Sequence, residues 1–182
     1  MPASETVVVP DREAVVGDGA RLPLRVWLRL LTCVNMMEAI VRARLHAQFA
    51  TTLPRFDVLA ALDAADAELS MGALSARLMV TSGNVTGLIK AMEQDGLVVR
   101  RTHPEDRRST LIAMTASGRR LFASMAPAHA QWIEQAMAGL DRAEVGELWD
   151  MLGRLKESVR AAEPARHAAV VSPSPARKRG AR

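Results

Sequence analysis

Between residues 70 and 118, cationic and hydrogen-bonding side chains recur at spacings suited to gripping a polyanion. Asp106, Arg107 and Arg108 crowd one short polar loop, where a carboxylate beside arginines can hold a guanidinium in a single geometry. Arg100 and Arg101 lead into that loop. Upstream, a helix opened by Thr81 as its cap puts Val85, Leu88, Ile89 and Met92 on one face. It leaves Ser82, Asn84, Thr86, Gly87 and Lys90 to solvent or to DNA. Hydroxyl, ammonium and guanidinium groups suit phosphates, so phosphate contacts are expected from Ser82, Thr86, Lys90 and the arginine loop. An amide suits base edges, which assigns base reading to Asn84, with Thr86 open to either role. The competing reading takes the helix as core packing and the loop as a solvated charged turn.

Elements must exist to present these groups. Over residues 24–50, Trp27, Leu31, Val34, Val41 and Leu45 form one helical stripe and Leu30, Cys33, Met37 and Ile40 a second, which implies packing on two sides. Thr51, Thr52 and Pro54 fit a stop and a new start, and Phe56, Leu59, Ala60 and Leu62 carry a second helix to about residue 65. Ser70 can cap a short helix that turns Leu74 and Leu78 inward. Gly96 stops the helix begun at Thr81. Residues 97–101 and 110–114 are β-prone flanks around a loop with Pro104, the pattern of a hairpin. Thr115 caps a long helix to about residue 138, in which Pro127 predicts a kink. After Gly139, Asp141 caps a last helix carrying Val145, Leu148, Trp149, Leu152 and Leu155. The expected fold is mainly α with a small β-hairpin wing: a winged helix-turn-helix with a helical dimerisation layer.

The 182 residues suffice for one domain with a sizeable core. The formal charge of +4 is local rather than diffuse. Beyond Glu163 come Arg166, Arg177, Lys178, Arg179 and Arg182 with no acid, and the remainder is about neutral. Residues 97–120 hold six arginines against Glu105 and Asp106. No apolar run long enough to span a bilayer and no signal-peptide pattern occurs, so a cytoplasmic protein without membrane partners is expected. Cys33 is the single cysteine, and His46, His103, His129 and His167 are scattered, so no metal or cofactor is expected. No nucleophile elbow, phosphate loop or dinucleotide fingerprint is present, which argues against an enzyme.

The run Gly96 to Arg101, then Asp106, Arg107, Arg108 and Ser109, then Met114 to Gly118, resembles the wing signature of MarR-type transcriptional regulators. Leu74 to Leu78 and Thr81 to Leu88 are similar to the two helices of that family's reader. Mixed composition without periodicity reads as a flexible N-terminal arm at 1–22, and Pro164, Pro173 and Pro175 mark a disordered basic tail at 164–182, leaving a MarR-like domain at 23–163. Within the domain, the resemblance implies dimerisation helices at 23–50 and 116–163 and a winged helix-turn-helix at 54–114. The implied molecule is a homodimer on double-stranded DNA, its recognition helices in successive major grooves of a pseudo-palindromic operator. Arg108 matches the wing arginine that enters the minor groove, and Asp106 its orienting partner. Gly87 departs from relatives that carry a larger polar residue there, at a cost of about 1 kcal/mol in helix propensity.

Such a reader needs a switch, and three are visible. A small aromatic ligand between the dimer layer and the reader could draw on Arg25, Trp27, Arg29, Arg55, Asp57 and His129. The blocks 24–33 and 52–62 are similar to a MarR branch that senses aromatic acids or hydroxycinnamoyl-CoA thioesters in catabolic gene control. The phosphates of a thioester would suit Arg25, Arg29, Arg42 and Arg44. The resemblance thus implies a repressor released by such an effector. The second switch is oxidation of Cys33, set against a desolvated, inert thiol on an apolar stripe. The third is Glu38, a proton sensor or ligand contact unless Arg42, one turn on, is its partner. A different class of molecule, a helical dimeric adaptor that binds protein instead of DNA, would leave the arginine wing without a purpose.

Overall fold

The computed structural model describes residues 21–79, 82–102 and 109–162. The N-terminal arm up to residue 20, the Thr81 cap, the wing loop 103–108 with Asp106, Arg107 and Arg108, and the tail from residue 163 lie outside them. The chain divides into two compact units at residues 136 and 137.

In the first unit, α1 spans Leu22–Phe49, with Pro23 in its first turn where a missing N–H costs nothing. It begins two residues before the span 24–50 read from the sequence and ends on Ala50 in the left-handed region. α2 spans Leu53–Ala65 and also carries a proline, Pro54, at its start. It buries Phe56, Val58, Leu59 and Leu62. A two-residue strand, β1 at Leu69–Ser70, leads directly into α3 at Met71–Leu78. The hydroxyl of Ser70 accepts from the Ala73 N–H at 3.2 Å, the expected cap. α4 spans Ser82–Gln94 and ends in a turn where Gly96, at φ +68°, donates to the Glu93 carbonyl and Leu97 donates to that of Met92. Only a residue without a side chain adopts that φ without strain, which is why the helix stops there.

β2 at Val98–Thr102 and β3 at Thr110–Met114 form the hairpin, with Val98 opposite Met114 and Thr102 opposite Thr110. β1 adds to the other edge of β3, Leu69 facing Ile112, so the sheet has three antiparallel strands in the order β1-β3-β2. The hairpin was legible in the sequence and β1 was not, because two residues carry no periodicity. α5 runs Ala116–Ala136 and continues through Pro127. Thr115 opens it as expected: its hydroxyl accepts from the Gly118 N–H at 3.0 Å and donates to the Gly96 carbonyl at 2.7 Å.

The core of this unit lies where α1, α2, α3, α4, α5 and the sheet meet. Leu45, Leu59, Leu74, Ile89, Met92, Ile112 and Met125 are fully shielded. Burying each such side chain contributes about 1.5 to 3 kcal/mol. The second unit holds α6, Arg142–Ala162. Asp141 caps it reciprocally, accepting from the N–H groups of Ala143 and Glu144 while Glu144 accepts from its own N–H at 2.8 Å.

Large apolar side chains remain uncovered in each unit. On α1 they include Leu24, Val26, Trp27, Val34, Met36 and Ile40, and on α6 Trp149, Met151, Leu152, Leu155 and Val159. Cys33 is exposed as well. That corrects the expectation of a desolvated thiol: among the described residues Cys33 and Ile40 of its stripe stand exposed, while Leu30 and Met37 are half-buried.

Candidate nucleic-acid interface

α4 is held by its inner face. Val85, Ile89 and Met92 are fully buried and Leu88 half-buried, while Gly83, Asn84, Thr86, Gly87 and Lys90 stand outward. The 3.6-residue repeat turns a core stripe and a polar stripe to opposite sides of one rigid rod. α3, anchored by Leu74, packs along it. The backbone of Ser82 begins the helix. A Cβ on Gly87 would meet nothing within 4 Å, so among the described residues no packing demand requires a glycine there.

Two arginines expected to face DNA are engaged by carboxylates of the chain. Arg101 donates to Glu68 Oε1 at 2.6 Å. Arg100 is half-buried, its Nε 3.1 Å from Glu93 Oε2 but not aimed along a hydrogen bond. A third pair, Arg55 with Asp95, ties α2 to the turn that follows α4. The hairpin root is therefore fastened on both sides, to the strand approach through Glu68 and to the end of the reader through Glu93.

The effector candidates gather in more than one place, with Arg44 and His129 meeting at Trp132. Arg25, Trp27 and Arg29 lie on the first turns of α1, with Trp27 56% exposed. Arg42 is ion-paired to Glu38, the simple partner the spacing offered. Arg44 donates to Gln135 at 2.7 Å and lies over the Trp132 ring, 5.9 Å from its centroid. His129 stacks on Phe56 at 4.5 Å between ring centroids, inside an aromatic cluster with Phe122 and Trp132. Partial burial there lowers its pKa. Asp57 alone among the candidates lines a groove of about 300 Å³ between α2 and the reader, with Pro54, Leu78, Asn84, Val85 and Leu88. Its carboxyl is pushed up by burial and by nearby Glu38, against the opposing pull of Arg42. Leu78, Val85 and Leu88 were read as core positions; their groove-side edges depend on how two helices splay, which spacing along one helix does not encode.

This arrangement, a short helix and an outward-facing reader braced by a three-stranded hairpin sheet, is a winged helix-turn-helix. Residues 51–109 match the family model of the MarR family. The transcriptional activatory protein BadR of Rhodopseudomonas palustris is 38% identical over 104 residues, 56% of this chain and 59% of BadR. The chain thus spans about three fifths of that relative's length. Among solved structures, AbsC, a MarR family transcriptional regulator from Streptomyces coelicolor, superposes with a TM-score of 0.69 at 21% identity. The overlay covers 78% of this chain and 97% of AbsC. CouR from Rhodococcus jostii RHA1, bound to p-coumaroyl-CoA, superposes with a TM-score of 0.63 at 24% identity, over 71% of this chain and 90% of CouR. The likeness to the MarR family thus rests on residues 51–109, the segment that holds the reader and the first strand of the hairpin. Among the described residues no group of three His, Cys, Asp or Glu side chains could hold a metal ion, and no helix is long and apolar enough to cross a membrane.

Proposed function

We propose that this chain is a dimeric, sequence-specific DNA-binding transcriptional regulator, a repressor whose grip on a pseudo-palindromic operator weakens when a small aromatic effector binds. The observation that carries this reading is α4: its inner stripe is locked in the core while Asn84, Thr86 and Lys90 stand outward. A rod fixed on one side and polar on the other can enter a major groove without losing its packing. By resemblance to the family's wing, Arg107 and Arg108 serve the adjoining backbone and Asp106 orients Arg108 for the minor groove. Ser82 and Lys90 serve phosphates and Asn84 a base edge. Arg100 and Arg101 brace the wing and add positive potential. The uncovered apolar faces of α1 and α6 support a homodimer, since a second copy removes them from water. The relation to CouR, a protein bound to p-coumaroyl-CoA, supports an aromatic acid or a hydroxycinnamoyl-CoA thioester as effector class, and control of aromatic catabolism as the setting.

Footprinting on the DNA upstream of the protein's own coding region tests this. Protection of two half-sites about one helical turn apart is expected. Arg108→Ala is expected to weaken binding to any duplex by about 1 to 3 kcal/mol. A strictly monomeric protein, or equal affinity for every duplex at physiological salt, overturns the reading.

A further inference from the structure

Three residues around the C-terminal end of the reader run against local preference. α1, α3 and α6 carry a basic residue in the last turn, His46, Arg77 and Arg160, the sign that the negative end of a helix dipole favours. α4 instead carries Glu93 there with no basic residue beside it, and Asp95 follows the helix at once. Arg100 is the third. Along β2 it shares a side with buried Val98, and across the hairpin it faces Ile112, which is fully buried. Its Nε is shielded and makes no hydrogen bond among the described residues, where an apolar side chain would extend the core without desolvating a charge. The three are answered through separate elements. Glu93 Oε2 lies 3.1 Å from Arg100 Nε on β2, and Asp95 pairs with Arg55 in the first turn of α2. Both pairs reach solvent, so their worth to folding is small.

Choices that are unfavourable one by one and coincide at a single joint mark a place kept for function. We propose that Glu93 and Asp95 are positioning residues: they fix the tilt of α4 against the hairpin and α2, and so set how sharply the reader tells one DNA sequence from another. Neither carboxylate contacts the duplex. The buried stripe Val85, Ile89 and Met92 sets the depth of α4, but apolar contacts are non-directional and leave its tilt loosely defined. Ion pairs drawn from two elements supply the missing direction, the use for which costly pairs are best attested. The lever is long. Asn84 lies about 13 Å along the helix from Glu93, so a tilt of about ten degrees displaces its amide by about 2 Å, more than a base hydrogen bond tolerates. Arg100 carries the same constraint into the hairpin. The proposal deepens the DNA-binding reading above and rests on it only for this consequence.

Titrations of the full chain use two probes, a duplex that the wild-type chain enriches from a random pool and a shuffled duplex of the same composition. Glu93→Gln with Asp95→Asn removes two negative charges beside a polyanion, so affinity for the shuffled duplex is expected to hold or rise. The ratio of the two affinities is expected to fall about tenfold, the worth of one lost base contact. Side chains that served folding alone would lower both affinities together with the melting temperature. Asp95→Arg with Arg55→Asp keeps the net charge and rebuilds one pair in reverse. It is expected to hold the ratio within about threefold of wild type, where Asp95→Arg alone loses it. Amide hydrogen exchange in the free chain should quicken at the last turn of α4 and along β2 when both carboxylates are removed. An unchanged affinity ratio in Glu93→Gln with Asp95→Asn overturns the proposal, as does unchanged exchange at that joint. A wild-type chain that prefers no duplex overturns the regulatory reading instead, and the exchange rates alone then decide whether the two carboxylates fix α4.

Discussion

Arg101 Nη1 donates to Glu68 Oε1 at 2.6 Å, so the guanidinium at the root of the wing is already turned toward a carboxylate of its own chain. The arginine is 62% exposed and the glutamate 31%, so water screens the pair and its worth to folding is small. Its effect falls on what Arg101 has left to offer a phosphate.

Glu68→Gln should therefore strengthen DNA binding and leave folding almost untouched. Thermal melts are expected to stay within about 0.5 kcal/mol of wild type. The salt dependence of DNA affinity should steepen by about one released counterion per arginine freed. An unchanged slope in titrations at several salt concentrations would remove Arg101 from the contact surface.

Two glycines should respond oppositely to the same substitution. A Cβ at Gly118 would stand 2.2 Å from the Leu97 carbonyl oxygen and 2.8 Å from Met114 Cγ, so Gly118→Ala must push α5 off the hairpin. A loss of about 3 kcal/mol is expected. At Gly87 the space is open, and Gly87→Ala should stabilise α4 by up to about 1 kcal/mol. Urea midpoints at constant slope measure both.

The sequence carried the helices well because their signals are local. The caps Ser70, Thr115 and Asp141 and the stop at Gly96 act within four residues of themselves, and each stands where the pattern put it. β1 escaped because its cause is remote: Leu69 pairs with Ile112 across the sheet. The grouping of the effector candidates escaped for the same reason. Residue type marked Asp57, His129 and Arg44 alike, yet one lines a groove, one stacks on Phe56 and one covers Trp132. Only the packing of separate helices distinguishes them.

Asp57 links stability to pH. Its carboxyl titrates above the ordinary 3.8 in the folded chain, so ionisation is easier in the unfolded chain. Its share of stability is whole below about 3.8 and declines as pH rises through the folded value. Asp57→Asn should raise the melting temperature at neutral pH, and the gain should vanish in acid. A gain independent of pH would point to packing instead of charge.

His129 acts in the other direction. Its folded pKa lies below 6.5 because of burial, so the unfolded chain takes the proton first as pH falls. Stability contributed by the neutral ring is present above 6.5 and is lost as pH drops through the folded value. His129→Phe, which keeps a ring against Phe56, should flatten the dependence of the melting temperature on mildly acidic pH. An unaltered profile would assign that dependence to another group.

The Thr115 hydroxyl, holding the Gly96 carbonyl at 2.7 Å and the Gly118 amide at 3.0 Å, joins the heel of α4 to the head of α5 through a single oxygen. The first turn of α5 and the turn that ends α4 therefore share one side chain, and removing that hydroxyl would loosen both at once.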